Sequence, residues 1–311
     1  MAIRSCRPGG RVGAGEPRYP RLAKLDLSGG KLGREGLRQL PEILGQTPAL
    51  IELDLAGSEL DGPEEWRALA VALQHTPRLT SFSVANVVLA KRGHKALASA
   101  LQHVPRLQTL DLAGCGLALE GLQALPFVLQ HVPHLTTLDL SANRLADGSD
   151  SQASAGHEEW MRVLKSVKHL ITLGLADNWL GEAGLNSLAP SLRTAPDLTC
   201  LDLSGNCLGA QGAQALAAAL QGAPHLARLD LGYNRLGPEG LQALSIALQH
   251  AQRLTSLEVA GNALVQPRWA PLEALPAVLG RVPDLTTLGL ASNGLGEAGL
   301  GALAASFADA T

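Results

Sequence analysis

The stretch "LTCLDLSGNCLGAQGAQALAAALQGAPH", residues 198–225, decides the fold because its apolar spacing changes halfway along. Leu201 and Leu203 alternate with polar residues, which predicts a short strand that buries one side. After Leu208 the apolar residues recur every three or four positions, as on one face of a helix. Asn206 lies between the two patterns, where its amide can satisfy backbone groups of a tight turn. The stretch therefore predicts one strand followed by one helix.

The same spacing recurs along the chain. The pattern L-x-x-L-x-L-x-x-N-x-L, with substitutes for the asparagine in early copies, begins at Leu22, Leu50, Leu79, Leu107, Leu135, Leu170, Leu198, Leu226, Leu254 and Leu285, which we number units 1 to 10. A strand and helix of this size cannot bury their own leucines, so neighbouring units must stack. We therefore predict an α/β solenoid over residues 22–311. It would be a horseshoe with parallel strands on the concave face and helices on the convex face.

The ninth position of each unit, counted from its first leucine, predicts a second stacking element. The last six units carry asparagine there: Asn143, Asn178, Asn206, Asn234, Asn262 and Asn293. Stacked asparagine side chains can hydrogen-bond backbone groups that a buried turn would leave unpaired, so we predict an asparagine ladder. The first four units hold Gly30, Ser58, Val87 and Cys115 at this position, and we expect that region to be less regular.

A glycine motif near the C-terminal end raises the question of a cofactor. Gly294, Gly296 and Gly299 have the spacing G-x-G-x-x-G, which in another setting marks a dinucleotide-binding turn. The same slot reads "LGEAGL" at residues 180–185 and "LGPEGL" at residues 236–241, so these glycines belong to the repeat. Stacked identical units also offer no switch-point crevice. We therefore predict no cofactor.

Charge and composition narrow the function classes. The formal net charge is −3, which argues against a nucleic-acid-binding protein that works by bulk charge. Residues 1–21 differ from the rest, with five arginines and one glutamate among glycines and prolines, and we predict a disordered basic arm there. Nucleic acid is therefore not the expected partner.

The chain also lacks the usual signals for a membrane or an oxidising compartment. No apolar run approaches the roughly 20 residues that cross a bilayer, and the N-terminus has no signal-peptide core. Four cysteines without paired spacing are typical of a reducing compartment: Cys6, Cys115, Cys200 and Cys207. We predict a cytoplasmic protein with no membrane partner.

The fifth position of each unit, in the middle of the strand, points to the concave face and is mostly acidic. Its residues are Asp26, Asp54, Ser83, Asp111, Asp139, Gly174, Asp202, Asp230, Glu258 and Gly289. Carboxylates about 5 Å apart repel by roughly 0.8 kcal/mol at the dielectric of water, so a basic partner would relieve the repulsion. Alternatively, the acids only solvate the sheet. Acid–base catalysis needs a dry cleft, and an open sheet is wet, so we predict no enzyme and no catalytic residue.

Bulky side chains stand out on the predicted concave face, where small residues predominate near the strand ends. They are Trp179, Arg228, Tyr233 and Arg235, from units 6 and 8, which would lie about 10 Å apart across the strands. Aromatic and arginine residues at an exposed central position are typical binding hot spots. We predict a partner-binding site that comprises these four residues together with Asp202, Asp230 and Glu258.

Other conspicuous residues are assigned to structure. The remaining tryptophans are predicted to pack in the core: Trp66, Trp160 and Trp269. Histidines recur at the helix ends: His75, His103 and His131. Packed helices lie about 10 Å apart, too far to share ligands near 2.1 Å from a metal, so we predict no metal site. Residues 146–157 of the long unit 5 form a Ser/Gly-rich rim loop that either contributes to binding or is a neutral insertion.

The ten units resemble the ribonuclease-inhibitor-like subfamily of leucine-rich repeat proteins, whose units have 28 or 29 residues and a full convex helix. The resemblance covers residues 22–311 and implies recognition of another protein on the concave face. Relatives add two alternatives: a GTPase-regulating protein of the Ran-activator type, and the sensing domain of a larger immune-receptor-like or effector protein. The chain departs from these relatives because it has four cysteines, no acidic tail and no nucleotide-binding domain.

Neither end of the predicted solenoid shows a polar cap. The last helix keeps Leu300, Leu303 and Phe307 on a face with no following unit. Exposed apolar ends favour self-association through the ends, or a chain excised from a longer protein.

Overall fold

The computed structural model of the protein describes residues 17–60, 62–89, 93–146, 153–264 and 274–308. Most of the predicted basic arm, residues 1–16, lies outside the described residues. So do Trp269 and residues 147–152 of the predicted rim loop. Residues 153–157, predicted as part of that loop, are instead the beginning of a helix, so the predicted C-terminal bound of the loop is wrong.

Each unit contributes one strand of three residues. The strands are β1 (Lys24–Asp26), β2 (Glu52–Asp54), β3 (Ser81–Ser83), β4 (Thr109–Asp111), β5 (Thr137–Asp139), β6 (Thr172–Gly174), β7 (Cys200–Asp202), β8 (Arg228–Asp230), β9 (Ser256–Glu258) and β10 (Thr287–Gly289). They form one parallel sheet in chain order and in register, so that Leu201 pairs with Leu173 on one side and Leu229 on the other. The predicted α/β solenoid is confirmed.

A helix follows each strand. The helices are α1 (Arg34–Gly45), α2 (Pro63–Leu73), α3 (Gly93–Leu101), α4 (Ala118–Leu129), α5 (Ala153–Ser166), α6 (Gly181–Leu188), α7 (Gly209–Gln221), α8 (Gly237–Ala247), α9 (Ala274–Leu279) and α10 (Gly296–Ala308). Short 3₁₀ segments extend two of them, at Ala189–Thr194 and Leu248–His250. Among the described residues, no helix combines the length and apolar character needed to span a bilayer.

The core lies between the sheet and the helices and runs through the whole stack. The inward leucines of internal units, such as Leu201 and Leu216, are completely or almost completely buried. Trp66 and Trp160 are buried in the same core, as predicted. Burial of this kind contributes about 1.5–3 kcal/mol for each large side chain, and each unit obtains it only from its neighbours. The inward Leu25 of unit 1 and Leu288 of unit 10 are only half-buried, because each has a neighbour on one side.

The turn after each strand bends through a left-handed residue at the eighth position. All ten units have this conformation, with φ between 54° and 69°. Glycine adopts it at no steric cost, as Gly205 does, but Tyr233 holds the same position with φ 56°. Most later units repeat the left-handed conformation at the tenth position, as in Trp179 and Arg235. The repeat geometry, rather than the local sequence, sets the backbone at these positions.

The late units are joined by the asparagine side chains. The Asn206 side chain donates from Nδ2 to the carbonyls of Leu175, Leu203 and Ser204, at 2.8, 2.9 and 3.0 Å. Its Oδ1 accepts the backbone N–H of Asn178 in the preceding unit at 3.1 Å. Bonds of the same kind link Asn143 through to Asn293, across the 35-residue unit as well. The seven extra residues of unit 5 therefore leave the stacking register intact.

At the ninth position, the first three units have a backbone bond in place of the asparagine side chain. At the ninth position, Gly30, Ser58 and Val87 donate their own N–H to the carbonyl three residues earlier, at 3.1 to 3.2 Å. Cys115 of unit 4 is intermediate, since its Sγ donates to the Val84 carbonyl at 3.2 Å. The irregularity expected of the N-terminal units therefore has a defined chemical form.

Candidate protein-binding surface

The acidic column on the concave face is built by the register of the sheet. The fifth-position residues pair strand to strand, so Asp202 lies between Gly174 and Asp230, and Asp230 lies beside Glu258. Each aspartate also closes its own turn, because Oδ1 accepts the backbone N–H two residues later. This bond is 2.9 Å from Ser204 to Asp202 and 2.8 Å from Gly232 to Asp230. One carboxylate oxygen of each aspartate therefore has a structural role.

The second carboxylate oxygen takes no part in this turn. Within the part of the chain that the structure describes, no protein group donates to Oδ2 of Asp139, Asp202 or Asp230. Burial raises the pKa of the Asp230 carboxyl above its usual range, and the nearby charge of Asp202 adds to this effect. The hydrogen bond from Gly232 works in the opposite direction. A cationic group that reached this pair would relieve an unfavourable charge.

Two glycines interrupt the column and receive the side chains of their neighbours. A Cβ on Gly174 would lie 2.7 Å from Oδ1 of Asp139, and a Cβ on Gly289 would overlap the carboxylate of Glu258. The acids of units 5 and 9 therefore extend over the adjacent strand. A side chain at either glycine would displace them.

The rim at the strand ends carries exposed bulky side chains. Trp179 is 54% exposed, and the guanidinium carbon of Arg144 lies 5.5 Å from the centre of its ring, within cation–π range. Tyr233 is 64% exposed, and its ring covers the α-carbon of Gly261, where a Cβ would lie 2.6 Å from Tyr233 Cε1. These two aromatics are thus oriented by contacts with the neighbouring units. Sequence reasoning missed Arg144, although it occupies the same tenth position as Trp179.

The predicted site residues lie on the concave side of four adjacent units, as a band rather than a compact cluster. Asp202, Asp230 and Glu258 form its middle. Arg228 begins β8 at one edge, while the exposed Arg235 follows the strand at the other. Among the described residues, no three His, Cys, Asp or Glu side chains come together as a metal site would require.

Comparison with known proteins places this architecture in context. The family model described as Leucine Rich repeat matches residues 105–125, 131–148, 194–217 and 222–245. The crystal structure of the leucine-rich repeat-containing protein LegL7 from Legionella pneumophila superposes with a TM-score of 0.63 and 24% sequence identity. The match covers 86% of this chain and 82% of that chain. No curated protein matches the sequence. At this identity the structural likeness shows the shared fold.

Proposed function

This chain is a leucine-rich repeat protein, and we propose that it is a non-enzymatic module that binds another protein on the concave face of units 6 to 9. Solenoids of stacked repeats in general use their extended concave surfaces for binding. We also assign it to the ribonuclease-inhibitor-like subfamily. Strand starts 28 or 29 residues apart in most units, each followed by a helix, support that assignment.

The main support for the proposal is that the bulky residues at the strand-end rim lower the stability of the fold through their backbone conformation. Trp179, Tyr233 and Arg235 adopt left-handed backbone conformations with φ of 56° to 58°. A residue other than glycine loses about 1 kcal/mol or more in this conformation. Burial of the side chains does not offset this loss of stability, because all three side chains are exposed. Residues that cost stability and remain exposed are best explained by contact with a partner.

The chemistry of the surface indicates what the partner presents. The acidic column of units 7 to 9 favours lysine or arginine side chains, and the free Oδ2 atoms of Asp202 and Asp230 are acceptors for them. The exposed rings of Trp179 and Tyr233 favour apolar or cationic groups at the rim. We therefore propose a partner segment in which basic residues alternate with apolar ones.

Affinity capture tests the proposal. The wild-type protein and a Trp179→Ala/Tyr233→Ala/Arg235→Ala variant are used to capture proteins from a lysate of the cells that make it. We expect at least one protein to be depleted tenfold or more with the variant, since hot-spot residues typically contribute about 2 kcal/mol or more each. Quantitative mass spectrometry measures the depletion, and circular dichroism checks that both proteins are folded.

A matched variant on the helical side controls for the general effect of removing large exposed side chains. Phe127, Ile246 and Arg281 are exposed residues on or next to helices α4, α8 and α9. The Phe127→Ala/Ile246→Ala/Arg281→Ala variant should capture the same proteins as the wild type. Equal capture by the concave-face variant would refute the site, and loss with both variants would show that the effect is not specific to the concave face.

A further inference from the structure

A second surface lies at the opposite rim, where the strands of units 3 to 6 begin. It is a shallow groove of about 530 Å³. Its lining consists of Thr80, Arg106, Gln108, His134, Thr136 and His169. We call it the strand-start groove. None of its lining residues belongs to the band described above.

The floor of the strand-start groove is fixed by the sheet. Backbone bonds continue ahead of the strands, from Gln108 N–H to Thr80 O and from Thr136 N–H to Gln108 O, both at 2.8 Å. The Thr136 hydroxyl also donates to Gln108 O at 3.1 Å. The floor of the groove is therefore part of the sheet framework, whereas Arg106, His134 and His169 lie in the turns that precede the strands.

The register of the sheet aligns three cationic or titratable side chains along one wall. Thr109, Thr137 and Thr172 pair across β4, β5 and β6, so the residues three positions before them come from consecutive units. These residues are Arg106, His134 and His169, and all three are exposed. Neighbouring strands lie about 4.8 Å apart, so an anionic segment that crosses the strands could contact all three.

The charged and titratable side chains that line the strand-start groove are all basic. No acidic side chain is among the six residues that line the groove. Arg106 is always charged, and imidazole groups in general change charge between pH 5 and 8. His169 also lines the adjacent cavity, where the Asp197 carboxylate lies with Oδ2 3.6 Å from His169 Nδ1, and where Arg253, His225 and Asp284 follow. Lys168, the exposed chain neighbour of His169, adds one more cation. With both histidines protonated, the groove itself therefore holds three cations and no acid, and Asp197 flanks it.

We propose that the strand-start groove binds an acidic segment of a protein partner, with Arg106 as the permanent anchor and His134 and His169 as anchors that strengthen as the pH falls. Charge complementarity selects this occupant, because the side chains that line the groove are basic or hydrogen-bonding and none of them is acidic. Asp111 lies five residues after Arg106, about 16 Å along the strand direction. The sheet at β4 and β5 thus presents a basic edge, at Arg106 and His134, and an acidic middle, at Asp111 and Asp139. The inference does not rest on the proposed function, since it uses other residues.

A labelled peptide tests the inference directly. Fluorescence anisotropy measures the binding of a fluorescein-labelled decamer of glutamate to the full chain at pH 7.5 and pH 5.5, where glutamate stays ionised. We expect at least tenfold tighter binding at the lower pH. The His134→Gln/His169→Gln variant should lose this pH dependence, and Arg106→Gln should weaken binding at both pH values. An unlabelled decamer of glutamine should not compete.

Acidification makes the whole protein more cationic, so a matched histidine variant is needed. His75→Gln/His103→Gln removes the same number of histidines from the ends of α2 and α3 on the helical side. It should bind like the wild type at both pH values. The inference is overturned if the wild type does not bind the glutamate decamer at pH 5.5, or if the pH dependence survives in His134→Gln/His169→Gln. An equal loss in both double variants would overturn it as well.

Discussion

Units 2 and 7 bury equivalent leucines but close the turn after the strand with different chemistry. Both share backbone bonds to the next unit, such as Gly57 N–H to Ala85 O and Gly205 N–H to Gly232 O, at 2.7 and 2.9 Å. Unit 7 adds the side chain of Asn206, which bonds to its own unit and to the unit before it. In unit 2 the Ser58 hydroxyl is buried and, among the described residues, has no hydrogen-bond partner.

The repeat therefore folds without asparagine at the ninth position, but adjacent units are linked less strongly where this asparagine is missing. In the first three units, backbone bonds and apolar packing hold each turn against its neighbour. In the last six units, a buried polar network crosses every junction. Satisfied networks of this kind rigidify a structure, whereas an unpaired buried group weakens it.

The largest change in stability is expected for Asn206→Ala, which removes the asparagine of unit 7. The change removes three donated bonds and leaves the backbone N–H groups of Asn178 and Leu180 without their acceptor. We expect the free energy of unfolding to fall by about 3–5 kcal/mol, because several buried groups lose partners at once. Urea unfolding followed by circular dichroism measures the change, and hydrogen exchange should show faster opening of units 6 and 7. A loss below about 1 kcal/mol would show that the ladder is not the source of the difference.

Unit 4 lies at the boundary between the two regions, and the reactivity of its thiol, Cys115, tests how tightly this boundary is packed. Burial raises the pKa of Cys115 to about 12, whereas Cys207 is exposed on the strand-end rim. At pH 8 the thiolate of Cys115 is a fraction of about 10⁻⁴, so we expect native alkylation by iodoacetamide at least a hundredfold slower than that of Cys207. Peptide mass spectrometry measures each site, and denatured protein serves as the control in which both react. Similar native rates would contradict a packed junction at unit 4.

The smallest change in stability is expected in unit 2, for a substitution of the buried serine. Ser58→Ala removes a buried hydroxyl that has no partner, and it leaves the backbone bond of residue 58 to the Leu55 carbonyl in place. We expect a gain of about 1 kcal/mol in the free energy of unfolding, since an unsatisfied buried group costs about 1–3 kcal/mol. Urea midpoints of the two proteins measure it. A clear loss of stability would mean that the hydroxyl contributes to the turn.

The solenoid was predictable because one periodic constraint, the burial of leucines against identical neighbours, dictates all ten strands. The burial of Trp66 and Trp160 followed from the same period. The contact between Arg144 and Trp179 was missed, although each residue directly follows an asparagine of the predicted ladder, because the orientation of an exposed side chain carries no burial pattern. The strand-start groove was missed for the same reason. Its residues are exposed, and exposed positions carry no burial pattern in a sequence.

The confinement of contacts to neighbouring units has a consequence for how this chain can change over generations. The main helix contacts and the strand pairs join units that are adjacent along the chain. Duplication of the 28-residue segment from Leu198 to His225 would therefore place a second Asn206 between existing asparagines and add one strand, about 4.8 Å, to the recognition surface. Distant units would keep their contacts. The gene can thus lengthen or shorten the protein in whole steps without redesigning the rest.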